Sequence, residues 1–168
     1  MLRKDQVKGM IPHIVIAPAS YDLTNCLITP DYVCTGDIQA DTDKIQELGE
    51  YITAHGGGRM YILEGEIVLG NATKYNVSSS APCICATSGL KVIGAGQGKT
   101  ILIMKNNIGK SSQVIRMGTT ADSRQAHDIY FQDLTIDANQ DNNINTAFTM
   151  MGIYFGADDT VTGYSQYI

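Results

Sequence analysis

Two pairs of aspartates are the residues whose type and spacing could do chemistry in this 168-residue chain. Asp133 and Asp137 flank Thr135 at alternate positions, so on a strand all three side chains project from one face. Asp158 and Asp159 are adjacent and follow a Gly-Ala dipeptide. Paired carboxylates can bind Ca²⁺ or act as the acid and base of glycoside cleavage. A solvated strand face and an acidic turn explain both pairs without catalysis, and we favour that interpretation.

Tyrosines supply most of the aromatic side chains, since the chain has nine of them and no tryptophan. Tyr130 and Tyr154 stand beside Ile129 and Ile153 at corresponding places in two similar segments. An outward tyrosine ring can stack on a sugar ring, so both are candidate carbohydrate-binding residues. If the segments are successive repeats, the two rings can instead stack on each other, and the pattern favours that internal role.

Positively charged and metal-binding residue types give weaker signals. Arg59, Arg116 and Arg124 are candidate contacts to an acidic sugar, although no set of partners distinguishes one of them. The three histidines are scattered, with no second ligand at metal-binding spacing. Cys83 and Cys85 are too close in sequence for a zinc pair, and we expect them to be buried free thiols.

The stretch from Gly94 to Thr100 has the composition of a phosphate-binding loop without its spacing. The P-loop pattern requires a glycine where this chain has Ile93, and the loop must lead into a helix. Ile-Leu-Ile-Met follows Thr100 instead, which is typical of a strand. We therefore interpret the glycines as a corner between two strands, with Lys99 on the solvent side and no ligand.

Charge and hydropathy argue against two classes of partner. The net charge of −5 argues against nucleic acid, which attracts basic proteins. No apolar run approaches the ~20 residues of a membrane helix, so we expect no membrane partner. Ala17-Pro18-Ala19 resembles a cleavage site only weakly, and the sequence contains no convincing signal peptide.

One segment, Asp43–Ala54, has the periodicity of an amphipathic helix. Acidic and hydroxyl residues at positions 41–43 can cap its first amide groups, and three consecutive glycines end it. Before it, Ile11–Ala17 and Tyr32–Cys34 predict short strands. The apolar stripe of the helix consists of Ile45, Leu48 and Ile52.

From Arg59 onward the apolar residues alternate with period 2, in pairs of strands that bend at a corner. The first pair bends at Leu63-Glu64-Gly65, the second at Gly94–Gly98 and the third at Gln132-Asp133. Ile153 and Phe155 indicate the start of a fourth unit. Irregular repeats of bent strand pairs predict a solenoid in which each coil covers the inner face of its neighbours.

Several of these segments resemble a known superfamily. Asp31-Tyr-Val-Cys-Thr-Gly36, the helix with Ile45-Gln46, and Gly57-Gly-Arg-Met-Tyr-Ile-Leu-Glu-Gly65 are together similar to the N-terminal signature of pectate-lyase-like right-handed parallel β-helix proteins. Gly89–Leu102 and His127–Asp137 resemble later coils. The similarity covers about residues 31–155. It implies an all-β fold, a right-handed parallel β-helix of about three to four coils with an N-terminal capping α-helix.

The resemblance also implies a division of the chain. Residues 1–30 form a lead strand and connection, residues 31–58 a strand and the capping helix, and residues 59–168 the coils. No segment after the last coil has the pattern of a second cap. An uncapped solenoid end exposes unpaired strand edges, so we expect a homo-oligomer or other subunits to cover it.

Function is less restricted than fold, because the superfamily includes polysaccharide lyases, glycoside hydrolases, phage tailspikes and fibres, and surface adhesins. No complete catalytic set is recognisable, since the Asp158-Asp159 pair lacks the other motifs of galacturonase-type hydrolases. We therefore expect a structural or receptor-facing module of a phage-like virion, located in the virion or on an extracellular surface. It would bind cell-surface polysaccharide if it binds a ligand. The alternative is the N-terminal part of a polysaccharide lyase or glycoside hydrolase. No cofactor is expected, except Ca²⁺ under the lyase alternative.

Overall fold

A computed structural model describes residues 12–24, 28–75, 80–118, 126–144 and 149–155. Within these ranges the chain forms one α-helix, eleven strands and two short 3-10 turns, Thr73–Tyr75 and Gln140–Asn142. In chain order the helix and strands are β1 (His13–Ala17), β2 (Tyr32–Val33), α1 (Ile38–Ala54), β3 (Gly58–Ile62), β4 (Gly65–Leu69), β5 (Ser80–Ala86), β6 (Leu90–Ile93), β7 (Thr100–Met104), β8 (Ser111–Met117), β9 (Tyr130–Gln132), β10 (Thr135–Asp137) and β11 (Met150–Phe155).

The strands form three sheets, and every pairing between them is parallel. Sheet A has the order β2-β1-β3-β6-β9, sheet B the order β10-β7-β4, and sheet C the order β11-β8-β5. From β3 onward, each run of three successive strands gives one strand to each sheet. Mostly parallel β structure with a single helix in the described residues is consistent with the predicted parallel β-helix-like fold.

Aliphatic side chains in register build the core between the sheets. In sheet A, Ile14 pairs with Met60 and Met60 with Val92, and all three are buried. In sheet B, Ile67 pairs with Leu102, which is fully buried. Because parallel pairing places equivalent residues side by side, apolar residues of successive strands contact one another along the whole stack.

The helix begins earlier than the sequence pattern predicts. It starts at Ile38, with Asp37 as the N-cap, whose Oδ1 accepts hydrogen bonds from the Gln39 and Ala40 amides at 3.0 Å each. The predicted start at Asp43 is wrong because Asp41 and Thr42, which we expected to cap the helix, lie inside its first turns. Their side chains bond to other segments instead.

Helix α1 covers two of the sheets on one side of the stack, where β4 and β5 are edge strands. The Gln46 side chain hydrogen-bonds to the backbone at the edge of β5, as a neighbouring strand would. Its Nε2 donates to the Cys85 carbonyl at 3.1 Å, and its Oε1 accepts from the Cys85 amide at 2.7 Å. Thr42 Oγ1 accepts from the Gly70 amide at 2.8 Å, directly after β4. These side chains therefore pair backbone groups that an uncovered edge would leave unsatisfied.

A third strand in each repeat, such as β5 or β8, is absent from the sequence prediction, which described only pairs of strands. Residues 81–86 are buried without interruption, so β5 shows no alternation, and Pro82 argues against a strand. The assignment of Ile153 and Phe155 to the start of a fourth unit is wrong, because both lie in the third strand of the third run. The segment β11 pairs with β8 in sheet C and completes the third run of strands.

The predicted glycine corner is confirmed between β6 and β7. The Gly94 and Gly96 amides donate to the backbone carbonyls of Gln132 and Asp133, at 2.9 and 2.8 Å. A strand, not a helix, follows at Thr100. Both amides therefore donate to backbone carbonyls of the neighbouring corner and are not available to bind a phosphate.

Cys34, Cys83 and Cys85 are buried thiols, as predicted for Cys83 and Cys85. Burial raises the pKa of the Cys34 and Cys83 thiols to about 12, so neither ionises near neutral pH. Cys26 lies outside the described residues. No helix in the described part of the chain is long and apolar enough to cross a membrane.

Candidate functional site

The outer face of sheet A carries a row of polar side chains from four strands. Strand register places His13 beside Arg59, Arg59 beside Lys91, and Lys91 beside Tyr130. All four residues are exposed, whereas the next position on each of β1, β3 and β6 points into the core. We call His13, Arg59, Lys91 and Tyr130 the outer row.

A less polar row lies next to it on the same face. Val15, Tyr61 and Ile93 are in register and half-buried, and Gln132 continues the row at β9. The Tyr61 ring centroid is 6.0 Å from that of His13, which joins the two rows. The face therefore combines hydrogen-bonding and charged groups with apolar surface, as saccharide-binding faces require.

The outer row is locally basic on a chain of net charge −5. Within the described residues, neither Arg59 nor Lys91 forms an ion pair. Parallel neighbours are ~4.8 Å apart, so the two side chains leave the sheet close together. Two cations without carboxylate partners create a positive potential that attracts an anionic ligand.

A small cleft opens at the start of β3 and β6, beside the outer row. Its volume is about 180 Å³. The lining contains one carboxylate, that of Asp128, whose Oδ2 lies 2.9 Å from His127 Nδ1. We call it the corner cleft, and its lining residues are Gly56–Gly58, Arg59, Gly89, Lys91 and Asp128.

The structure separates the two candidate tyrosines. Tyr130 lies in sheet A and is 51% exposed, whereas Tyr154 lies in sheet C, in register with Arg116. The Arg116 guanidinium carbon is 5.9 Å from the Tyr154 ring centroid. The predicted stacking of Tyr130 on Tyr154 is therefore wrong, because β9 and β11 belong to different sheets of one repeat.

Two of the candidate aspartates, Asp133 and Asp137, lie at or beside a corner of the stack. Asp133 is exposed in a left-handed conformation (φ 55°), and its carbonyl accepts from the Gly96 amide. Asp137 is also exposed, and its carboxylate accepts from the Asn139 amide at 2.7 Å. Asp158 and Asp159 lie outside the described residues, as does Arg124. Across the described ranges, no three His, Cys, Asp or Glu side chains converge as a metal site.

Sequence reasoning considered Arg59 and Tyr130 separately and did not select His13, Lys91 or Asp128. These residues come from distant parts of the chain and meet only through strand register. One signal was available in the sequence. Each strand of the outer row has a polar residue immediately before a core residue, and these polar residues occupy the same place in successive repeats. Loops of unequal length hide that equivalence.

Comparison with curated proteins identifies enzymes as relatives. The chain is 32% identical over 117 residues to mannuronan C5-epimerase AlgE1 of Azotobacter vinelandii, covering 67% of this chain and 8% of that protein. It is 29% identical over 141 residues to each of the mannuronan C5-epimerases AlgE2 and AlgE5 of the same organism, covering 79% of this chain and 13% of theirs. The chain thus spans only 8 to 13% of these relatives' lengths. No family model and no solved structure matches it.

The relatives are polysaccharide-modifying enzymes with a parallel β-helix fold. They support the predicted resemblance to a β-helix superfamily. They give no support to membership among phage tailspikes or fibres, nor to a virion module. The alternative that we kept open, a part of a polysaccharide-acting enzyme, agrees better with them.

Proposed function

We propose that this chain forms part of the right-handed β-helix of a polysaccharide-modifying enzyme, and that the outer face of sheet A binds an acidic polysaccharide. The observation that carries the proposal is the outer row, in which Arg59 and Lys91 stand side by side and form no ion pair with any carboxylate of the described residues. The similarity to mannuronan C5-epimerases supports it. The proposed role replaces the virion module as our main interpretation.

The chemistry of the outer row suits a polymer of uronic acid. Each sugar unit of such a polymer carries one carboxylate, which the Arg59 guanidinium can bind through two parallel hydrogen bonds. Lys91 supplies a second, compact charge. Tyr130 offers a half-exposed ring for the apolar face of a sugar.

The geometry of sheet A fits a polymer that crosses the strands. Neighbouring strands are ~4.8 Å apart, which is close to the length of one pyranose unit. A chain laid across β1, β3, β6 and β9 would therefore meet one side chain of the outer row per sugar. Adjacent carboxylates would fall within reach of adjacent cations.

The same cations would assist inversion at C5. Removing the proton next to a carboxylate places negative charge on that carboxylate, and fixed cations stabilise such charge in the transition state. Inversion also requires groups that remove and return the C5 proton. Asp133, Asp137, Asp158 and Asp159 remain candidates, and the absence of a cofactor remains a prediction.

Binding to mannuronan tests the proposal. We expect isothermal titration to show that an Arg59→Gln, Lys91→Gln double variant binds mannuronan oligomers at least about tenfold more weakly than the unmodified chain, because two charge-assisted contacts are lost. Rising salt should weaken binding by the unmodified chain.

The matched control is Lys44→Gln with Lys74→Gln, which removes the same charge from the region of α1. This control should keep nearly full affinity, and neutral mannan should not compete. Equal binding of mannan and mannuronan, or unchanged affinity in the Arg59, Lys91 variant, would overturn the proposal.

A further inference from the structure

We infer that the corner cleft holds one acidic sugar unit and recognises its hydroxyl groups through Asp128, so that the site selects uronates over other polyanions. This inference rests on the proposed function. It concerns a recognition element that lies beside the outer row and adds a carboxylate to its two cations.

The cleft exists because three turns stack at equivalent positions. Register places Gly57 beside Gly89 and Gly89 beside Asp128, and all three have left-handed backbones, with φ of 95°, 80° and 56°. A Cβ on Gly89 would lie 2.8 Å from the Gly57 Cα. The first two turns therefore approach closely and carry no side chain that could fill the space.

The third turn differs in having an aspartate. Asp128 is the acidic residue of the cleft lining, to which Arg59 and Lys91 also belong. Both Asp128 and its partner His127 are exposed, with side-chain exposures of 77% and 72%. A carboxylate held by a neighbouring ring nitrogen, yet open to solvent, is available to accept hydrogen bonds from a ligand.

This combination of charges predicts selectivity. For a simple polyanion, Asp128 repels the ligand and lowers affinity. For a uronate, the cations bind sugar carboxylates while Asp128 accepts hydrogen bonds from the hydroxyl groups of the sugar unit in the cleft. A group that repels the wrong ligand, but hydrogen-bonds to the right one, increases specificity with little loss of affinity for the right ligand. A volume of about 180 Å³ suits one sugar unit rather than a folded-back chain.

The test compares Asp128→Asn with the unmodified chain against two probes, mannuronan oligomers and polyglutamate. Asparagine tolerates a left-handed backbone, so the variant should fold normally. We expect the affinity for mannuronan oligomers to fall about fivefold, because a charge-assisted hydrogen bond is replaced by a weaker neutral one. The affinity for polyglutamate should stay the same or rise. Asp128→Gly, which reproduces the other two turns, should show the same direction with a larger loss.

Asp141→Asn, an exposed aspartate in the Gln140–Asn142 turn, is the matched control and should change neither affinity. Tighter or unchanged mannuronan binding by Asp128→Asn would show that charge alone acts, which overturns the corner-cleft inference and leaves the proposed function standing. If the unmodified chain fails to bind mannuronan oligomers, the proposed function and this inference both fail.

Discussion

Asp41 joins the segment after β2 to the first turns of α1. Only 3% of its surface is exposed, yet its carboxylate accepts four hydrogen bonds: from the Tyr32 hydroxyl at 2.6 Å, the Thr35 amide and hydroxyl at 2.8 and 3.0 Å, and the Gly36 amide at 2.9 Å. Burial acts to raise the pKa of this carboxyl, but the hydrogen bonds outweigh burial and hold the pKa below its ordinary value.

Stability should therefore decrease in acid through Asp41. Because its folded-state pKa lies below the unfolded-state value of about 3.9, its contribution is complete above that pH and is lost as the pH falls through the folded-state pKa. We expect Asp41→Asn to lower the free energy of unfolding by about 2 kcal/mol at pH 7, since donors that faced a carboxylate would face an amide. Urea unfolding from pH 7 to pH 2.5 should show a flatter pH dependence in the variant.

Glu47→Gln is the control for this experiment, because Glu47 lies on the same helix and its side chain is 67% exposed. Its unfolding free energy should change by less than about 0.5 kcal/mol. An Asp41→Asn variant as stable as the unmodified chain would contradict the anchoring role of the carboxylate.

Gly89 and Gly98 allow backbone strain to be separated from crowding. Both are left-handed, with φ of 80° and 74°, but an added Cβ meets the Gly57 backbone at Gly89 and nothing within 4 Å at Gly98. We expect Gly98→Ala to destabilise by about 1 kcal/mol from conformation alone. Gly89→Ala should lose about 2 kcal/mol more, because stacked turns must move apart. Thermal or urea unfolding measures both, and equal losses would show that the close approach is unimportant.

At the scale of elements, α1 contributes more than an apolar stripe. Ile45 and Ile52 are fully buried, as their spacing predicts, but the polar residues Thr42 and Gln46 on the same side bond to strand backbone. Side chains of the helix thus hydrogen-bond to backbone groups at the edges of β4 and β5. A stripe of aliphatic residues alone could not do so.

Gln46→Met tests this role, because methionine keeps the length and apolar volume but removes both hydrogen bonds to Cys85. We expect a loss of about 2 kcal/mol in unfolding free energy, since a buried amide and a carbonyl lose their partners. Hydrogen exchange of the Cys85 amide should accelerate by at least about tenfold if local opening becomes easier. Lys44→Met, at a more exposed position of the same helix, should change neither measurement, and parallel behaviour of the two variants would contradict the edge-pairing role.

At the scale of the whole molecule, the sequence predicts the parts in which burial alternates. The inward-pointing residues alternate in β3 (Met60 and Ile62) and in β6 (Leu90 and Val92). Both strands can therefore be identified from the apolar alternation in the sequence. Sheet C cannot be predicted in this way, because residues 81–86 are buried on both faces. The start of α1 was obscured by four cap-forming residues between positions 37 and 43.

The candidate site was less predictable than the fold. Tyr130 is a visible candidate on its own, but its neighbours in the outer row depend on which residues of four strands are in register. The loops between repeats differ in length, so equivalent positions cannot be located by counting along the sequence, although the alternation within each strand limits the register. Two expectations remain predictions: a homo-oligomer, and the division of the chain into residues 1–30, 31–58 and 59–168.

The helix that covers β4 and β5 also gives the stack a direction of growth. On that side Gln46 and Thr42 occupy the edges, and sheet A ends in the two-residue strand β2. Among the described strands, β9, β10 and β11 stand at the opposite edges of the three sheets, so further strands would pair there. Because α1 precedes β3 to β11 in the chain, we expect the covered side to form first, so that each later strand pairs with an edge that is already folded.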